Sequence, residues 1–267
     1  MDKKKRRIVV KVGTSTLTYE TGRTNIRRMG CLVRVLSDIV NRGDQVVLVS
    51  SGAIAIGCGK LGLKTRPTDT QGRQAVSTVG QCELMFMYDK LFDEYTHPVG
   101  QLLVTKTDVD DNERRGNLIN AFESLLELGV VPIVNENDSV AVEEIVYGDN
   151  DCLSAIVAKL IKADVLIMIT DKDGLYDSDP AVNADARLIG VVEEITADME
   201  KVAGGAGSSR GTGGMITKIH AARIATEAGI PTYIINGADV ENIYRVLDGE
   251  PVGTCFLAKK QAAPAAF

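Results

Sequence analysis

The sequence predicts an α/β fold, with an open, mainly parallel central sheet sandwiched between helices. Three observations carry that prediction. Short runs rich in Val, Ile and Leu alternate with longer stretches whose apolar residues recur every three to four positions. The short runs are apolar throughout, so neither of their faces is built to meet water, which is the pattern of parallel strands covered on both sides. Aromatics make up only 4% of the chain and Trp is absent, so the core must come from Val, Ile, Leu and Ala.

Residues 8–12 form the first strand. Residues 25–41 place Ile26, Met29, Leu32, Val33, Leu36, Ile39 and Val40 at a helical period, with Gly43 as the stop. Residues 45–49 are the second strand, followed by hydroxyls, Gly52 and the start of a helix at Ala53. Further strands are expected at 99–104, 130–134, 164–169 and 231–235. Further helices are expected at 70–91, 113–128, 150–161, 214–228 and 240–247. No internal repeat or Pro/Ser-rich linker interrupts this order, and the Gly-rich stretch 204–214 reads as a loop. The expectation is a single domain over residues 1–258 and a short flexible tail at 259–267. In such sheets ligands bind beyond the carboxyl ends of the strands.

Composition excludes several classes of function. The net charge of −6 opposes a nucleic-acid partner. No apolar run approaches the roughly 18 residues that span a bilayer, so no membrane role is expected. The five cysteines are odd in number and never spaced CxxC, which fits a reducing cytoplasm and five small buried or half-buried apolar groups. The two histidines have no metal-ligand pattern around them. Lys3, Lys4, Lys5, Arg6 and Arg7 precede only Ile8-Val9-Val10, too short a run for a signal peptide, and read as a solvated arm.

Four segments put polar residues just after strands. Lys11-Val12-Gly13-Thr14-Ser15 sets an ammonium beside a glycine that lets backbone approach an anion. Ser50-Ser51-Gly52 leads into a helix whose first N–H groups suit a carboxylate or phosphate, or serves as an ordinary N-cap. Asn135-Glu136-Asn137-Asp138-Ser139, with Tyr147-Gly148-Asp149-Asn150-Asp151, is a dense cluster of acids and amides. It could bind an ammonium group, hold Mg²⁺ or orient a lysine. Gly204-Gly205-Ala206-Gly207 and Gly211-Thr212-Gly213-Gly214-Met215-Ile216-Thr217-Lys218 form a Gly-rich turn into a helix with a lysine in its first turn, an anion cradle. Two common fingerprints are missing. Leu63 follows Gly57 and Gly62 where a P-loop needs Gly-Lys, and no GxGxxG opens a helix after a strand.

Taken in order, these segments resemble the amino acid kinase family, and within it the members that phosphorylate free glutamate. The matching strings are 10–15, 49–54, 132–138, 148–151 and 211–218, with Thr170-Asp171-Lys172-Asp173-Gly174-Leu175-Tyr176 similar to the family's nucleotide segment. The resemblance runs over residues 8–257 and implies the amino acid kinase fold. It implies ATP-dependent phosphorylation of the glutamate side-chain carboxylate, with nucleotide-bound Mg²⁺, as the first step toward proline. It also implies proline as a feedback inhibitor and a homo-oligomer. Many members carry a C-terminal PUA domain, which this chain is expected to lack. By resemblance, Lys11, Lys218 and Asp151 are catalytic. Ser51, Asp138, Asn150 and Asn135 hold glutamate, Asp138 through the α-ammonium and Asn150 by donating to a carboxylate. Lys11, Thr170, Asp171, Thr212, Gly213, Gly214, Met215, Ile216, Thr217 and Lys218 bind the nucleotide, with the Gly13 and Gly52 amides completing the cradle.

Three other readings remain at this point, one of them a uridylate kinase relative, which would be expected to show a basic nucleotide-acceptor pocket that the sequence does not display. A kinase for a related acid such as N-acetylglutamate would leave Asp138 without an ammonium partner. A non-catalytic amino-acid sensor would have no use for Lys11, Lys218 and Asp151 together.

Overall fold

The computed structural model describes residues 5–140, 150–204 and 214–259. Strand β1 (Arg7–Val12) lies at the centre and shows how the sheet is organised. Ile8, Val10 and Val12 belong to one apolar core and Val9 to the other, because successive side chains leave a strand on opposite faces. The strands β2 (Gln45–Ser50), β3 (Val99–Val104), β4 (Val131–Glu136), β5 (Val165–Thr170), β6 (Val191–Val192), β7 (Thr232–Asn236) and β8 (Thr254–Phe256) complete one eight-stranded sheet. Its order is β3-β4-β2-β1-β5-β7-β8-β6. All pairs are parallel except β7 with β8, so the expected open, mainly parallel sheet is the one observed.

On the Val9 face lie α6 (Asn112–Glu127), α7 (Asn150–Leu160), α8 (Ala197–Gly204) and α9 (Met215–Glu227), through residues such as Phe122, Leu153, Ala203 and Ile219. On the Val10 face lie α2 (Ile26–Asn41), α3 (Ala53–Leu61), α4 (Thr70–Asp93) and α10 (Asn242–Leu247), through Leu32, Ile56, Tyr88 and Ile243. Two short helices, α1 (Thr14–Leu17) and α5 (Lys106–Asp110), follow β1 and β3. Helix α3 starts after Gly52, whose φ of +105° is a conformation that side chains strain, and is crossed closely by α4. A Cβ on Gly80 would sit 1.7 Å from the Ala53 carbonyl oxygen, so that crossing requires glycine.

The structure adds elements that periodicity did not reveal: β6, β8, α1, α5 and α8. It also corrects three local expectations. Arg6 and Arg7 do not float in a solvated arm. Arg6 pairs with Asp44 at 2.9 Å and Arg7 with Glu123 at 2.5 Å, pinning the start of β1. Lys259, expected in the tail, is docked by its backbone N–H to the Thr226 carbonyl at 3.0 Å; residues 260–267 lie outside the described residues. Cys82 is exposed rather than buried. In the stretch read as a Gly-rich loop, Gly204 closes α8 and Gly214 caps α9, while 205–213 lie outside the described residues. Among the described residues, no helix is long and apolar enough to cross a membrane.

Candidate active site

Lys11 follows Val9 and Val10 on β1, so strand alternation sends its side chain to the face of α7 and α9. Asp151 is in the first turn of α7 and Lys218 in the first turn of α9. The three meet. Lys11 Nζ is 2.6 Å from Asp151 Oδ1, and Lys218 Nζ is 2.9 Å from Asp151 Oδ2. Residues 11, 151 and 218, which lie far apart in the chain, thus share one carboxylate. Asp151 is fully buried, and Lys11 and Lys218 are 5% and 6% exposed. Burial pushes the Asp151 carboxyl up, but the Lys11 and Lys218 ammonium groups outweigh it and hold the group well below the usual carboxylate range. Thr217 Oγ1 lies 2.8 Å from both Asp151 Oδ2 and the Gly214 carbonyl and donates to one of them at a time.

Two cations and one anion leave the triad with a single positive charge. Each ammonium has three donors and gives at least one to Asp151, so the remainder can serve a ligand. The N-termini of α7 and α9 add the positive ends of their dipoles. Gly13 follows β1, and a Cβ there would stand 3.8 Å from Lys11 Nζ, so its backbone borders the same space. On the neighbouring strand Thr170 ends β5, with its hydroxyl donating to Asp171 at 3.2 Å. Asp173, three residues past β5, accepts from Asn236 Nδ2 at 2.7 Å and Tyr176 OH at 3.1 Å, and so ties the turn after β5 to the end of β7. Met215 and Ile216 turn their side chains toward the core. Thr212 and Gly213 lie outside the described residues.

Beside the triad the residues expected to hold an amino acid form a chain of amides. Asn150 Nδ2 donates to Asn135 Oδ1 at 2.8 Å and to Ser51 Oγ at 3.1 Å. Asn135 Nδ2 donates to Gln81 Oε1 at 2.8 Å. Ser51 is held in turn through its neighbour, since Ser50 Oγ lies 2.8 Å from the buried Tyr88 hydroxyl. The Asn150 amide nitrogen is spent inside the chain, and the atom it leaves buried without a partner among the described residues is Oδ1, an acceptor. Asp138 lines a cleft of about 410 Å³ at the carboxyl ends of β3 and β4, together with Gln81, Glu136 and Met85. Gln81 thus lines the cleft without having been singled out, whereas Glu136 stood in the cluster of acids and amides read from the sequence. Gln81 sits in mid-helix in α4, where no motif marks it. Among the described residues no three acidic, His or Cys side chains converge on a metal position.

The family profile described as "Amino acid kinase family" matches residues 6–236. The chain is 54% identical to the glutamate 5-kinase of Clostridium perfringens over 97% of both chains. It is 54% identical to the glutamate 5-kinase of Clostridium tetani over 95% of both. Among solved structures it is similar to the isopentenyl phosphate kinase of T. acidophilum, with a TM-score of 0.64 and 21% identity over 93% of this chain and 99% of that one, a likeness of fold.

Proposed function

The chain belongs to the amino acid kinase family, and we propose that it transfers the γ-phosphoryl group of ATP to the side-chain carboxylate of L-glutamate. The product is L-glutamyl 5-phosphate, and the reaction is the first step of proline biosynthesis. The relatives at 54% identity, both glutamate 5-kinases, support the substrate. The observation that carries the chemistry is the pair of buried ammonium groups on Asp151, at 2.6 and 2.9 Å.

The nucleophile is already an anion at neutral pH, so the reaction needs no strong general base. The difficulty is bringing a carboxylate up to a triphosphate, and catalysis becomes positioning and charge neutralisation. In this reading Lys11 contacts the transferring phosphoryl group and Lys218 the leaving oxygen. Asp151 keeps the two cations apart and correctly aimed. Thr170, Asp171 and the start of α9 line the nucleotide. Mg²⁺ arrives as part of the nucleotide substrate, neutralising phosphate charge. Ser51, Asn135 and Asn150 shape the amino-acid side, with Asp138 facing the α-ammonium. Proline acts as a feedback inhibitor, and the protein works as a homo-oligomer in the cytoplasm.

The test is ADP release with L-glutamate, N-acetyl-L-glutamate and L-aspartate, each with and without proline. Turnover preferring free glutamate and slowed by proline supports the reading. Preference for the N-acetylated acid, which has no α-ammonium, would overturn the substrate, and no ADP release with any of them would overturn the kinase.

A further inference from the structure

The chain of amides has a direction, and one backbone group sets it. The Glu136 N–H donates to Asn135 Oδ1 at 2.9 Å, which fixes that atom as the acceptor and turns Asn135 Nδ2 toward Gln81. Gln81 Oε1 is therefore the accepting atom, and Gln81 Nε2, with two N–H donors, is left at the open end. That nitrogen is buried and has no hydrogen-bond partner among the described residues. An unmet buried donor costs desolvation, which a water or a ligand repays, and the position of this one on an open cleft favours a ligand.

Gln81 also lines the 410 Å³ cleft. The described wall of that cleft contains Glu136 and Asp138 but no Lys, Arg or His. Its hydroxyls are committed elsewhere: Ser77 and Thr78 donate to carbonyls of their own helix, at 2.8 and 2.7 Å, and Ser139 donates to Asn137 at 2.5 Å. An amino-acid head has two charges to satisfy there. The carboxylates match its ammonium, and its α-carboxylate needs an N–H donor; of the amides in this wall, Gln81, Asn137 and Gln101, Gln81 is the one whose nitrogen is buried without a partner among the described residues.

We infer that Gln81 is a specificity-determining residue whose Nε2 donates to the α-carboxylate of the amino-acid substrate, while its Oε1 locks the amide chain leading through Asn135 to Asn150. This rests on the proposed glutamate kinase activity and adds to it how the substrate's head is recognised.

The experiment exchanges donor for acceptor on both sides. Gln81→Glu keeps the oxygen that accepts from Asn135 and removes the donor. Steady-state kinetics should show the KM for L-glutamate rising at least about tenfold, with the KM for ATP within about twofold of wild type. The preference for L-glutamate over its α-carboxamide, L-isoglutamine, should shift toward the amide by at least about tenfold. A purely structural Gln81 would not move that preference. If the Glu variant does not fold, Gln81→Met carries the test: its loss of kcat/KM should be at least about tenfold larger for L-glutamate than for 4-aminobutyrate, which lacks the α-carboxylate. An unchanged glutamate KM, or an unshifted preference, overturns the inference and leaves the kinase reading standing. A folded wild type that does not phosphorylate glutamate removes both.

Discussion

Asn150 and Asp151 are neighbours in the first turn of α7, yet they anchor networks of opposite character. Asp151 gathers charge: two ammonium groups and a hydroxyl on one buried carboxylate. Asn150 gathers neutral amides, reaching through Asn135 to Gln81 on a different helix. The charged network acts chiefly on the electrostatics of an anion placed beside it. The neutral one acts chiefly on geometry, since its dipoles carry no net charge. In the proposed reaction, one helix terminus therefore couples the position of the substrate to the position of the charges that act on it. Damage to the charged side is expected to appear in stability and turnover, and damage to the amide side in substrate KM.

The largest effect is expected at Asp151. Asp151→Asn keeps the shape but leaves two nearly buried cations without their counter-ion, a loss of about 3–5 kcal/mol of stability. The pH dependence sharpens this. A carboxyl depressed below its ordinary range contributes stability that is present above the unfolded value of about 4 and is lost as pH falls through the folded value. The Tm gap between wild type and Asp151→Asn should therefore be flat from neutral pH down to about pH 5 and narrow only in stronger acid. A gap that closes near neutrality would mean that Asp151 is not held ionised by the lysines.

Lys11→Met or Lys218→Met should each cost about 2–3 kcal/mol of transition-state stabilisation, read in kcat with little change in glutamate KM. Near-normal turnover in either variant removes that lysine from the chemistry. Across the divide, Asp138→Ala should cost about 2 kcal/mol, read as a raised KM for glutamate and an unaltered KM for ATP. Equal rises for both substrates would place Asp138 outside the amino-acid side. The smallest effect, about 1 kcal/mol and again in glutamate KM, is expected for Ser51→Ala, whose hydroxyl is one contact of Asn150. If Ser51→Ala lowers kcat as much as the lysine variants do, the separation of the two networks fails.

The contrast also explains what could be read from the chain before its structure. The strand ending at Val12 and the helices beginning near Asn150 and Gly214 were legible because continuous apolar runs and helical periods mark them. Once those ends are known, Lys11, Asp151 and Lys218 fall at the carboxyl edge of a parallel sheet, where such folds bind ligands. The β6 and β8 strands are two and three residues long, too short for any period to show. The amide network was legible only in part. Asn135, Asn150 and Ser51 stand in recognisable strings, but which atom each presents depends on the Glu136 backbone N–H, a contact fixed only in three dimensions. That is why the engagement of the Asn150 amide nitrogen with Asn135 and Ser51 could not be read from the chain, and why Gln81 carried no signal at all.

In the proposed reaction two cations approach one triphosphate from either side of Asp151. A crystal structure with a non-hydrolysable ATP analogue and L-glutamate measures this directly. Both Lys11 Nζ and Lys218 Nζ should lie within about 3.2 Å of oxygens on the γ-phosphate or the β–γ bridge. A nucleotide bound with either ammonium still buried against protein and out of reach of those oxygens would contradict it.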